Sequence, residues 1–123
     1  LHLSIRRQRQ MCIRDRAAYI AQKLLILRRR KREDQERDVL YMHDTLETFG
    51  RHLAEVREAW LTDVAPNVHP RHVKQVKASV RDLCSEVTDL IRGAAHTAAS
   101  VQRVVSPRSL VEACELGLRR IFF

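Results

Sequence analysis

The sequence predicts an all-α chain, a bundle of about five amphipathic helices. Three observations carry that expectation. Only three Gly and three Pro occur in 123 residues, too few to punctuate a strand-and-turn architecture. Apolar residues recur at spacings of three and four along most of the chain, the period of a helix that buries one face. Ser106-Pro107 is a helix start, with Ser as N-cap and Pro at the first helical position. No apolar run nears the ~20 residues that cross a bilayer. Cys12, Cys84 and Cys114 have no metal-ligand spacing and make no disulfide framework, which suits a reducing compartment and sets the expected location as cytoplasmic.

The helical reading starts at Ala17. Arg6-Arg7-Gln8-Arg9-Gln10-Met11-Cys12-Ile13-Arg14-Asp15-Arg16 resembles the translation of a transposase-based sequencing-library adapter, codon by codon. Leu1-His2 fits the end of the flow-cell sequence, and Leu3-Ser4-Ile5 fills the place of the sample index. Residues 1–16 are therefore set aside as an adapter-derived, disordered leader. The alternative is a basic arm that binds nucleic acid. The first Met of the remainder is Met42, inside a helical pattern, so 17–123 is expected to be a helical domain truncated at its N-terminus.

The elements follow in order. Ala17 to about Arg30 is an apolar segment with Tyr19, Ile20, Leu24 and Leu27 on its inner face, closed by cations that suit the negative end of the helix dipole. Glu33 and Asp34 open a second helix over 33–49, with Val39, Met42, Leu46 and Phe49 inward and Gly50 beyond its end. A third, over 51–64, carries Leu53, Val56, Trp60 and Val64 and stops at Pro66. Pro66 to Pro70 is a rigid turn. One long helix is expected from Pro70 to about Ser100, with Val73, Val76, Val80, Leu83, Val87, Leu90, Ala94 and Ala98 inward. Gly93 and its alanines form a small-residue surface for close packing. The last helix, from Ser106, turns Leu110, Cys114, Leu118 and Ile121 inward.

The formal charge is +8, from 23 basic and 15 acidic residues. The leader holds five Arg and one Asp, so 18 basic and 14 acidic residues remain and 17–123 carries +4. The run Arg28, Arg29, Arg30, Lys31, Arg32 exceeds that net value by one, so the excess charge reads as one local patch suited to phosphates. The alternative is a solvated helix end paired with Glu33, Asp34 and Glu36. Aromatic residues do not interleave with the run, which argues against base stacking. No Gly-rich phosphate loop, Asp-x-Asp, His-Glu-x-x-His or Cys-x-x-Cys occurs. His43, His52, His69, His72 and His96 are scattered, and His69 with His72 lacks a third ligand, so no catalytic or metal residue is assigned.

Tyr19-Ile20-Ala21-Gln22-Lys23-Leu24-Leu25-Ile26, the basic run, and Arg37-Asp38-Val39-Leu40-Tyr41-Met42-His43-Asp44-Thr45-Leu46 resemble a segment of bacterial nucleotidyltransferase-fold proteins. This is the polymerase-beta-like group with abortive-infection and toxin-type members. Glu86-Val87-Thr88-Asp89 and Cys114 to Phe122 fit more loosely. The resemblance implies that 17–123 is the C-terminal helical half of a larger α/β protein, whose sheet bears the carboxylates for two-metal nucleotidyl transfer. It implies Mg²⁺ and an NTP for that parent, none for this stretch, and a nucleotide or phosphate role for Lys23, Arg28 and Arg29. Arg37 and Asp38 would form the polar cluster of the second helix. Lys23 reads equally as a snorkelling residue beside an apolar helix, and Asp44 as a surface or helix-pairing residue.

Two functions follow as expectations. One is the helical region of a nucleotidyltransferase-like protein, inactive by itself because the carboxylate motif is absent. The alternative is a non-enzymatic helical module that binds nucleic acid or a protein partner through the basic helix end at Arg28–Arg32.

Overall fold

The structure, a computed structural model, describes the backbone from His2 to Phe123 and side chains from Ile13 onward. Among the described residues it is all helical, with six α-helices and no strand: α1 His2–Ile26, α2 Arg32–Thr48, α3 Leu53–Ala59, α4 Pro70–Cys84, α5 Asp89–Ser100 and α6 Pro107–Phe122. No helix among them is long and apolar enough to cross a membrane. The adapter reading falls largely on residues whose side chains lie outside the described set. The boundary expected at Ala17 does not coincide with a helix end. Ile13 is buried in the core, and Arg16 donates a hydrogen bond to the Tyr41 hydroxyl.

Helix α6 is the centre of the bundle and packs on α2, α3, α4 and α5. That position demands apolar residues around much of its circumference. Leu110, Cys114, Leu118 and Ile121 are fully buried, as expected, and Val111 and Phe122 add a second line. The Phe122 ring meets Trp60 edge to face, with centroids 4.9 Å apart. Ser106 caps the helix, its hydroxyl accepting from the Ser109 N–H at 3.1 Å. Two close approaches let α2 settle into this frame. An added Cβ on Gly117 would stand 2.7 Å from a Leu46 methyl, and one on Gly93 would stand 2.2 Å from the Glu36 carboxylate. The small-residue face of α5 is thus where α2 lies closest.

Three expected elements differ from the structure. The single helix of 70–100 is broken into α4 and α5. Thr88 leaves helical geometry and its hydroxyl accepts from the Ile91 N–H at 3.3 Å, so Thr88 and Asp89 start a new helix. The break lets α4 pack on α1 and α6 while α5 packs on α2, which one straight rod could not do. Tyr19, expected inside, lies on the flank of α1 at 37% exposure, while Ile20, Leu24 and Leu27 are in the core as expected and Ala17 and Ala21 join them. The third helix continues past Ala59 as a π-helical turn, Trp60–Val64, and a 3₁₀ turn, Ala65–Asn67.

Helix α5 ends with paired bonds, Arg103 N–H to the Ala98 carbonyl at 2.9 Å and Gln102 N–H to Ala99 at 3.0 Å. This is a Schellman motif, and its left-handed residue is Gln102, at φ 63°. Glycine carries no Cβ penalty there, whereas other residues do. Gln102 is exposed, so no packing is lost on replacement. Gln102→Gly is expected to stabilise the chain by about 0.5–1 kcal/mol, read as a rise of a few degrees in the thermal midpoint. An unchanged or lower midpoint would contradict the strain assigned to this residue.

Candidate functional site

The corner between α1 and α2 gathers most of the residues singled out in the sequence. Helix α1 closes with a 3₁₀ turn, Leu27–Arg29, and Arg30 and Lys31 are extended before α2 begins. A helix end leaves carbonyls without partners, and here neighbouring side chains supply them. Ser79 of α4 donates to the Leu24 carbonyl at 3.0 Å, and Gln35 of α2 donates to the Leu27 carbonyl at 2.7 Å. Arg28 pairs with Asp82 of α4. The corner is therefore tied to α2 and α4 at the same time.

Beneath it lies a buried carboxylate. Asp38 is 4% exposed, a burial that a lone anion would not tolerate. Lys23 Nζ stands 3.1 Å from Oδ1 and Arg30 Nε stands 2.8 Å from Oδ2. The Arg30 contact is close but off the N–H direction, so neither Nε nor Oδ2 has a directed hydrogen bond. It acts through charge, whereas Lys23 is both an ionic and a hydrogen-bonding partner. Burial opposes the Lys23 charge, yet hydrogen bonds to Asp38 and Tyr19 and the negative charge of Asp38 outweigh it, and its pKa lies above the usual 10.5. Lys23 also sits over the Tyr19 ring at 5.0 Å, and Tyr19 packs against Tyr41 at 4.8 Å. The ring contacts of α1 belong to Lys23 and to Arg16, which stands 5.8 Å from the Tyr41 centroid.

The implicated residues separate into two sets. Lys23 and Asp38 are brought together, and Arg30, not singled out for them, completes the trio. Arg28, Arg29 and Arg37 are exposed and outside that trio, as are Lys31 and Arg32. Asp34 gave a local signal for Arg30, four residues on, and stands 3.9 Å from it. Nothing local could have linked Arg28 to Asp82, which is 54 positions away.

A cavity of about 390 Å³ opens beside the corner, lined by Leu27, Arg28, Arg32, Gln35, Leu83 and Leu90 among others. Its acids are already engaged, Asp82 by Arg28 and Asp89 by Arg92 at 2.9 Å. Arg32 has no carboxylate partner among the described residues. The start of α2 is also unusual. Lys31 occupies the N-cap position and makes no side-chain cap bond, and Arg32 follows, so two cations precede the first-turn acids Glu33 and Asp34 that the helix dipole favours.

Away from the corner, His43, Asp44 and Glu47 offer ligand atoms within 4.8 Å of one another. Both Asp44 oxygens are taken by Arg103, at 3.0 and 2.5 Å. A cation entering there would have to displace a guanidinium. Burial opposes ionisation of Asp44, but hydrogen bonds from Arg103 and His43 and their charge outweigh it and hold the carboxyl below its usual value. Cys84 and Cys114 are buried and free, each pushed up to about 12, chiefly by burial. The chain matches no family model, no curated protein and no solved structure.

Two outcomes follow. Asp38→Asn leaves Lys23 and Arg30 facing each other without an anion, and should cost about 2–4 kcal/mol in denaturant melts, with Lys23→Met in the same background recovering part of the loss. Native stability in the single variant would mean the buried trio contributes nothing net. The Asp44 carboxyl is depressed on folding, so its contribution is fully present above the usual 3.8 and lost as pH falls through the lower folded value. Asp44→Asn should flatten the acid-side decline in stability, seen in urea melts at neutral pH and below pH 3.8. A parallel decline in both proteins would remove Asp44 from the acid response.

Proposed function

We propose that this chain is the helical region of a nucleotidyltransferase-like protein and that its α1–α2 corner holds phosphate groups of an NTP. The observation that carries this reading is the start of α2. It has an uncapped turn of N–H groups, Lys31 and Arg32 at its mouth and Arg29 beside them, all exposed. A helix start with free N–H groups favours an anion, and Lys31 and Arg32 stand exposed there beside the first-turn acids Glu33 and Asp34. The neighbouring cavity, about 390 Å³, falls in the size range of small-ligand sites. Leu27, Leu83 and Leu90 supply apolar walls for a base or sugar.

The resemblance on residues 17–50 supports the parent's chemistry, nucleotidyl transfer with Mg²⁺. Three carboxylates among the described residues, Asp38, Asp44 and Asp82, do not fit a Mg²⁺ site. Asp38 is held by Lys23 and Arg30, Asp44 by Arg103 and Asp82 by Arg28. No catalytic step is therefore assigned to these residues, whose part is to bind and orient phosphates. The second reading is a non-enzymatic module that contacts nucleic acid or a protein partner through the same corner. The helices bury a shared core among themselves, which favours it.

Lys31→Asp separates a structural from a binding role. It supplies a cap acceptor to α2 and should stabilise the chain by about 0.5–2 kcal/mol. The same change should weaken ATP and GTP binding several-fold in titration calorimetry. A variant that binds either nucleotide as the native chain does would overturn the phosphate role of the corner. A native chain that binds no NTP, together with a loss of polynucleotide binding in R29E/K31E/R32E, would select the second reading.

A further inference from the structure

The outer face of α4 carries a second row of cations that the charge count conceals. Arg71, Lys74, Lys77 and Arg81 recur at spacings of three, three and four, which places them on one side of the helix. The opposite side, Val76, Val80 and Leu83, is buried. Among the described residues none of these four cations pairs with a carboxylate. At the C-terminal end of the row, Lys77, Arg81 and Arg119 of α6 gather on one ring, 5.6, 5.2 and 5.1 Å from the centroid of Phe123. The acid beside them is Glu115, which bonds Arg119 at 3.3 Å and leaves the other cations unneutralised. Like charges crowded round a ring repel one another, and a bound anion relieves that repulsion. At the other end, His69, Arg71 and Lys74 border an open hollow of about 530 Å³.

We propose that this face of α4, with Arg119 and Phe123, binds the sugar-phosphate backbone of a nucleic acid, independently of the α1–α2 corner. The argument is one of shape and charge. Ten residues of helix make the row about 15 Å long. One strand of a duplex presents a phosphate about every 3.4 Å, so about four phosphates lie alongside four cations. A linear row fits a linear polyanion. Helix α4 exposes no large apolar side chain to enter a bilayer, so it lacks what an interfacial helix needs. Phe123, 37% exposed among the cations, offers a ring beside which an unpaired base can stack. The Arg28–Asp82 pair joins the last turns of α4 to the corner, so the two basic surfaces adjoin there.

The test is fluorescence anisotropy of the full chain with a labelled single strand and its duplex, over a range of salt concentrations. The native chain is expected to bind at low salt. The triple variant K74E/K77E/R81E should bind at least about tenfold more weakly, with a salt slope smaller by about 2–3. The neutral variant K74Q/K77Q/R81Q should show a smaller loss in the same direction. Circular dichroism of each variant checks that its helices are intact. The corner variant R29E/K31E/R32E should retain the part of the slope that belongs to α4. A stronger loss on the single strand than on the duplex in Phe123→Ala would assign the ring to stacking. The proposal is overturned if the native chain binds neither form, or if the neutral variant binds as the native chain does. It is also overturned if poly-glutamate displaces the strand as well as unlabelled nucleic acid does, because the surface would then be a general polyanion site.

Discussion

A carboxylate taken out of water is the constraint around which the first half of the molecule is arranged. Asp38 sits on α2 with its charge covered, and such a charge persists only where cations come to it. One arrives from the body of α1, Lys23, and one from the extended link, Arg30. This trio joins α1 to α2 across the corner, beside the Tyr19–Tyr41 ring contact and the Gln35 bond to the Leu27 carbonyl. It also sorts the basic run. Arg30 is drawn inward, Arg28 is committed to α4, and the remaining cations are left to solvent. Helix α2 repeats the device along its length. Glu36 accepts from Thr97 of α5 at 2.9 Å, and Asp44 holds Arg103 beyond it. Three acids on one helix thus each bind a different neighbour.

Much of the fold was legible because it depends on local pattern. The inner residues of α2 and α6, the Ser106-Pro107 start and the small face of α5 were all readable from spacing. The break at 85–88 was not, because Val87 and Leu90 continue the apolar period through it and both are half-buried in the structure. Thr88-Asp89 was the available signal, a hydroxyl followed by an acid at a helix start. Tyr19 was misplaced for a related reason. A ring at the edge of an apolar stripe satisfies the period equally well inside or on the flank.

The candidate site was half legible. Lys23, Asp38 and the basic run were singled out, but which cation meets which acid depends on pairings between residues far apart. Arg28 with Asp82 and Arg103 with Asp44 have no local sequence signature. Summing charge along the chain also hid the row on α4. Its cations are offset in the total by acids elsewhere, among them Glu55, Glu58 and Asp63 in and after α3. Electrostatic patches belong to faces, and a face is known only once the helix phase and its buried side are known.

The two thiols of the inner bundle have a practical consequence. Cys84 lies at the end of α4 and Cys114 on the fully buried side of α6, and burial keeps both protonated. A thiol must ionise and meet solvent before it can be alkylated. These positions therefore become reactive only when α4 and α6 separate. Their labelling rate is a built-in clock for opening of the bundle, and comparing the two sites would time the release of its rim against that of its centre.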